Sequence, residues 1–181
     1  DFSEDTYRVL AAADAAVMVL DAAKGIEPQT LKLFEVVKAR QMPLITFINK
    51  WDRPGLEALS LLDEIEEKIG VVAAPVTWPV GIAGQFRGVI DRRSGDFIRF
   101  TRTARGATEA PEEVVEPDRA AAEEGDVWTT ARDEVELLGT MGLDHDDELF
   151  LGGEMSPTFF GSALTNFGVR LLLDAVIDLA P

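Results

Sequence analysis

Two short apolar runs, residues 15–21 (AAVMVLD) and 43–49 (PLITFIN), flank a stretch of helical periodicity, and this alternation constrains the fold more than any other feature. Runs of that length containing β-branched residues read as buried strands. The first ends at the turn-like Ala22-Ala23-Lys24-Gly25. Pro28 then suits the first turn of a helix, whose apolar face is Leu31, Phe34 and Val37, with Leu33 beside them, through Arg40. After the second run, Pro54-Gly55 breaks the chain. Leu59, Leu62, Ile65 and Ile69 mark another amphipathic helix, stopped by Gly70. Residues 74–80 (APVTWPV) read as extended. Strand, helix, strand, helix, strand predicts an α/β fold: a parallel sheet joined by right-handed crossovers. Residues 1–14 read as a helix ahead of it, with Phe2, Tyr7, Val9 and Leu10 as its apolar positions.

Past Gly81 the pattern changes. Residues 86–91 and 96–100 alternate apolar and polar around Ser94-Gly95, which predicts an antiparallel hairpin on a partly exposed sheet. A polar stretch with Pro111 and Pro117 follows, and Asp126 opens a helix carrying Val127, Thr130, Val135, Leu137 and Leu138. The α/β texture returns with residues 157–163 (PTFFGSA) as a strand and 168–180 as an apolar closing helix. Charge follows the same divisions. Residues 109–150 hold fifteen acids against Arg119 and Arg132, a net −13 of the chain's −16. Residues 84–106 hold six arginines (87, 92, 93, 99, 102 and 105) against Asp91 and Asp96. A shift this sharp marks a boundary. The expected organisation is one unit over 1–81, an α+β insertion over 82–155, and a return to the first unit over 156–181.

Composition narrows the function classes. With 181 residues, 46% of them apolar, the chain can bury a real core. No apolar run approaches the roughly 20 residues of a membrane span, and the N-terminal residues lack the features of a signal peptide. No membrane partner is expected. Zero cysteines exclude disulfides and thiolate metal sites, in keeping with a cytoplasmic location. A net charge of −16 argues against a general phosphate-binding surface, so no direct DNA binding is expected.

The candidate site lies where the second strand ends, at Asn49-Lys50-Trp51-Asp52. An N-K-x-D tetrad in that position suits recognition of guanine. A fixed carboxylate at Asp52 accepts two hydrogen bonds at once, from the N1–H and the 2-amino group. Adenine offers neither and would leave the carboxylate desolvated and unpaired. Lys50 can lay its aliphatic stem across the base, and Asn49 can tie the loop to its neighbours. In a sheet of this kind ligands sit at the carboxyl ends of parallel strands. The second such loop is Gly161-Ser162-Ala163-Leu164, where small residues permit close backbone approach and an N–H can donate to the guanine O6. No G-x-x-x-x-G-K-[S/T] run occurs in the 181 residues.

These residues carry a resemblance that runs from end to end. The stretches DFSEDTYRVL, LDAAKGIEPQTLKLFEV, FINKWDR, LLDEIEEKIG, APVTWPVGIAGQFRGVIDR, WTTARDEVELL, ELFLGGE and FFGSALTNFGVRLLLDAVIDLAP are similar to the translational GTPases. Among these they resemble the bacterial class-II peptide-chain release factors more than elongation factor G. The resemblance implies a P-loop-GTPase-like sheet, truncated at the N-terminus, because the chain begins just after the family's D-T-P-G-H segment. The phosphate loop, first switch and catalytic histidine are then expected upstream. No catalytic residue is assigned within the 181, and no cofactor is expected on this stretch alone. The intact protein is expected to bind GTP or GDP with Mg²⁺, to hydrolyse GTP on the ribosome, and to release a class-I release factor. Its base contacts would be Asn49, Lys50, Asp52, Ser162, Ala163 and Leu164, and the insertion would be the family's accessory subdomain. The alternatives are another ribosomal GTPase, such as elongation factor G or a ribosomal protection protein, an ATP-using α/β enzyme, or a nucleotide-free interaction module.

Other residues read more plainly. His145, within Asp144-His145-Asp146-Asp147-Glu148, is taken as part of a solvated acidic turn opening a helix rather than a metal site. Asp21, at a strand end, is given a turn or cap role. Trp78 and Trp128 read as packing residues, and no function is read into Trp51. The arginines of 87–105 suit RNA contact and pairing with the nearby acids equally. With a single histidine, no Ser/His/Asp constellation is available.

Overall fold

The computed structural model describes residues 4–101 and 112–181. Phe2, Arg102, Arg105 and Pro111 therefore lie outside the described residues. Helix α1 (Glu4–Ala12) leads into strand β1 (Ala16–Asp21), helix α2 (Pro28–Ala39), strand β2 (Leu44–Asn49), helix α3 (Ala58–Ile69) and strand β3 (Val72–Pro75). Pro28 sits in the first turn of α2, and α3 stops at Gly70, whose φ of 74° is left-handed. Far along the chain, strand β8 (Met155–Phe160) and helix α7 (Val169–Leu179) complete this layer. Its four strands are all parallel, in the order β1-β2-β8-β3.

Strand β2 is buried on both faces because helices cover both. Its alternate residues feed two cores, as the two-residue period of a strand requires. Leu44 and Ile48 join Phe34, Val37, Leu61, Leu62 and Ile65 from α2 and α3. Ile45 and Phe47 join Phe159, Leu172 and Ala175, the last two from α7. Between them Thr46 and Ser156 satisfy each other's buried hydroxyls at 2.7 Å. Strand β1 differs from its expectation of full burial. Met18 and Leu20 point into the core, whereas Val17 and Val19, on the opposite face of this edge strand, are 44% and 58% exposed.

The expected extended stretch 74–80 is two strands in two sheets. After Val76 the chain enters β4 (Thr77–Val80), the first strand of an antiparallel sheet with β5 (Gly88–Asp91), β6 (Phe97–Phe100) and β7 (Glu112–Val115), in the order β4-β5-β6-β7. The antiparallel sheet thus begins five residues before position 82. Thr77 Oγ1 accepts from the Phe160 N–H at 3.0 Å, joining the two sheets. The hairpin turns at Gly95 (φ 80°) as its sequence predicts, but β5 is fully buried rather than half exposed. Helices α4 (Pro117–Glu124), α5 (Asp126–Thr140) and α6 (Asp147–Leu151) follow, with α5 against β4. The face α5 buries is Trp128, Ala131 and Leu138, while Val127 and Leu137 remain exposed. Asp146 caps α6, accepting from the Leu149 N–H, and His145 Nε2 meets Asp147 Oδ1 at 2.8 Å. None of the described helices is long and apolar enough to cross a membrane.

Candidate nucleotide-base site

Parallel pairing of Phe47 with Phe159 and of Ile48 with Phe160 makes the chain leave β2 and β8 side by side. The two exit loops are bound to each other by backbone. Gly161 N–H donates to the Ile48 carbonyl at 3.1 Å, and Trp51 N–H donates to the Gly161 carbonyl at 3.0 Å. Gly161 admits this approach because a Cβ there would lie 2.3 Å from the Phe167 carbonyl oxygen. Asn49 Oδ1 accepts from the Ala163 N–H at 2.9 Å, the tie between loops that its residue type suggested. Trp51 points the other way. It is 1% exposed and meets Phe160 edge-on at 5.0 Å, so burial of its ring pins the loop to the core.

Lys50 has φ 63°, a left-handed conformation uncommon for a residue with a Cβ. Its Nζ donates to Asp21 Oδ2 at 2.9 Å, across the β1–β2 register that sets Asp21 beside Asn49. Asp21 Oδ1 also accepts from the Ala23 N–H at 2.8 Å, which is the turn role read from the sequence. Burial works to raise the Asp21 pKa, but the hydrogen bonds from Lys50 and Ala23 outweigh it and the carboxyl lies below its usual range. The ion pair to Lys50 is the contact that sequence reading missed. Its only signal was an acid at the end of the strand that proved to neighbour the tetrad's own.

Asp52 is the exception in an otherwise satisfied loop. Its side chain is 14% exposed, Oδ2 lies 3.9 Å from Arg53 Nε, and Oδ1 is buried with no hydrogen-bond partner among the described residues. A buried carboxylate oxygen in that state calls for a ligand or another explanation. On the second loop, Ser162 is buried and its Oγ accepts from the Thr165 N–H at 3.4 Å, closing the turn. The Ala163 N–H is committed to Asn49 and is not free to donate to a ligand. The neighbouring Leu164, 76% exposed, has no acceptor for its N–H among the described residues. Asn49, Lys50, Asp52, Ser162, Ala163 and Leu164 thus all lie at the ends of adjacent strands. Together they offer a carboxylate acceptor, a lysine stem and a backbone donor, a donor set that fits guanine. Among the described residues, no group of three or more His, Asp or Glu side chains is placed to hold a metal ion.

The model of the elongation factor Tu GTP-binding domain matches residues 1–181. The chain belongs to that family. Its parallel sheet with flanking helices is the sheet of such a domain, and the antiparallel sheet is a second element within it. The chain is 53% identical, over its whole length, to a protein of Microcystis aeruginosa called peptide chain release factor 3. A protein of the same name from Gloeothece citriformis is 53% identical over 99% of the chain, and one from a Cyanothece species 52%. The chain spans about a third of these relatives, 34% of each.

Proposed function

We propose that this chain is the guanine-recognising portion of a translational GTPase that acts in peptide-chain release. The observation that carries the reading is the buried, unpartnered Oδ1 of Asp52 at the junction of two mutually tied loops. Asp52 accepts from the guanine N1–H and 2-amino group. Lys50, its ammonium held by Asp21, lays its stem along the base. Asn49 keeps the two loops in register, and the Leu164 N–H is the donor left for O6. Adenine would leave both the carboxylate and this N–H without complementary partners, so the site discriminates by unmet hydrogen bonds as much as by those it makes. Ser162 and Ala163 serve by shaping the loop.

The intact protein, on this reading, binds GTP and GDP with Mg²⁺ and is a GTP hydrolase. It acts on the ribosome in the cytoplasm, with a class-I release factor as its partner. Support comes from the relatives named peptide chain release factor 3 and from the family match. The bound nucleotide supplies the phosphoanhydride whose cleavage drives such a cycle. Residues 82–155 are proposed as the accessory subdomain, with 1–81 and 156–181 forming the GTP-binding fold. No phosphate-loop motif occurs in the 181 residues, so this stretch alone is expected to turn over no GTP.

Calorimetric titration of the intact protein with GDP and XDP, before and after Asp52→Asn, tests the reading. An amide donates to the 2-oxo group of xanthine where a carboxylate repels it. GDP affinity should fall about 100-fold, since two bonds to a charged acceptor are lost, and preference should move toward XDP. Unchanged affinity and base preference would remove Asp52 from the role.

A further inference from the structure

On the side of the base loop where the Trp51 ring lies, a cavity of about 610 Å³ opens between the start of α3, the 79–85 segment and the first half of α5. That volume suits a small organic ligand. Its walls are largely apolar, and three of the lining side chains, Leu56, Ile82 and Val127, are 42%, 63% and 40% exposed. The polar groups are few and unbalanced. Glu134 is half-buried, and its Oε2 accepts from the Trp78 indole N–H at 2.7 Å. Glu57, at the N-cap of α3, makes no side-chain cap bond and lines the same cavity as Glu134. Neither carboxylate has a cationic partner among the described residues, and no Lys, Arg or His lines the cavity. The Trp51 Nε1–H is buried without an acceptor among the described residues.

We propose that this cavity is a binding site for a small organic cation, with its ammonium or guanidinium head on Glu134 and Glu57. The apolar body of the ligand lies against Leu56, Ile82 and Val127, with the Trp51 ring in the cavity wall. Burial raises the Glu134 pKa, and repulsion from Glu57 adds to it. A cation offsets both effects. The site also touches the base loop. Trp51 stands between Lys50 and Asp52, and its backbone binds Gly161 on one side and Gly84 on the other. A ligand pressing on this ring is therefore coupled to guanine-nucleotide affinity, and the coupling is reciprocal.

Tyramine, which carries an ammonium, an apolar ring and a phenolic oxygen, is the probe, and 4-ethylphenol is its counterpart without the charge. Calorimetry on the intact protein should give saturable tyramine binding, with 4-ethylphenol at least tenfold weaker. Glu134→Gln keeps an acceptor for Trp78 but removes the charge. It should weaken tyramine at least tenfold and leave 4-ethylphenol as before. Should that variant not fold, Glu57→Gln, at an exposed position, should still weaken tyramine at least threefold. In ¹⁵N-indole spectra the Trp51 signal should move on binding and the Trp128 signal stay. Equal affinity for the two probes, indifference to both substitutions, or an unmoved Trp51 signal would overturn the site. An unchanged GDP affinity at saturating tyramine would overturn the coupling. A peptide with one central arginine offers the same head group from a protein, and tighter binding by that peptide would overturn the assignment to a free small molecule.

Discussion

The parallel and antiparallel parts of this molecule handle polar groups in opposite ways. In the antiparallel part, the arginines are dense and most of them are matched by acids. Arg99 meets Glu113, Glu123 and Glu124, and Arg87 reaches Glu124 at 2.7 Å. Arg119 pairs with Glu113 and Glu123, Arg93 with Asp91, and Arg92 with Asp144 and two backbone carbonyls. Of the two readings open for the arginines, those among the described residues take the pairing one. The base loops of the parallel part carry few charges, yet they hold Lys50 in a left-handed conformation and, among the described residues, leave Asp52 Oδ1 and the Leu164 N–H without partners. Arginines held by several acids each mark a surface that neutralises its own cations. A few unmet groups on a rigid frame mark a place where something else binds.

The strongest way to break this contrast is to cut the link between the two parts. Phe160 is fully buried and packs edge-on against both Trp51 and Trp78. Phe160→Ala should destabilise the protein by about 3–5 kcal/mol in urea melts, and both parts should lose structure together. A transition confined to one part would show that each has its own core. A smaller effect is expected at the tie between loops. Asn49→Ala strands the Ala163 N–H and should weaken GDP about tenfold, the equivalent of roughly 1–2 kcal/mol, while thermal stability changes little. A large drop in melting temperature with normal GDP affinity would reverse that assignment.

Asp21→Asn keeps an acceptor for the Ala23 N–H and removes only the pair to Lys50. Because Lys50 is 47% exposed, GDP affinity should fall just two- to threefold. This loss should shrink at high salt and vanish in a Lys50→Met background. Glu134 sharpens the contrast through pH. Its folded pKa is raised by burial, so the protonated carboxyl favours the folded state below the ordinary glutamate pKa of 4.5. That contribution is lost as pH rises through the raised value. Melting curves of Glu134→Gln should lack this fall, and an unchanged pH profile would mean the carboxyl titrates normally. The smallest effect belongs to the matched charges. Arg119→Gln should leave stability and GDP binding indistinguishable from wild type, and a measurable loss of either would give the outer ion pairs more than a solubility role.

Much of the fold was legible because helix and strand periodicities are local. Pro28, Gly70 and the run before Asn49 each announced an element by its own chemistry. Residues 74–80 misled for a physical reason: a strand's sequence does not say which partner it pairs with, and Val76 is where the chain changes sheets. The elements of the polar stretch, β7 and α4, were missed because few of their side chains are buried, so periodicity had little to mark. Asn49, Lys50 and Asp52 were legible as a motif, since residue type and strand-end position carry the chemistry. Asp21 was not, because its partner stands 29 positions away and only the β1–β2 register brings them together.

The sequence by itself determined most of the element types, the parallel core and the loop chemistry suited to guanine, all of which follow from local patterns and side-chain functional groups. Only the tertiary structure decided which donors remain free. It committed the Ala163 N–H to Asn49, left the Leu164 N–H open, and buried one oxygen of Asp52 without a partner. Whether a polar group is satisfied depends on neighbours that arrive from more than a hundred residues away, and no reading along the chain supplies them.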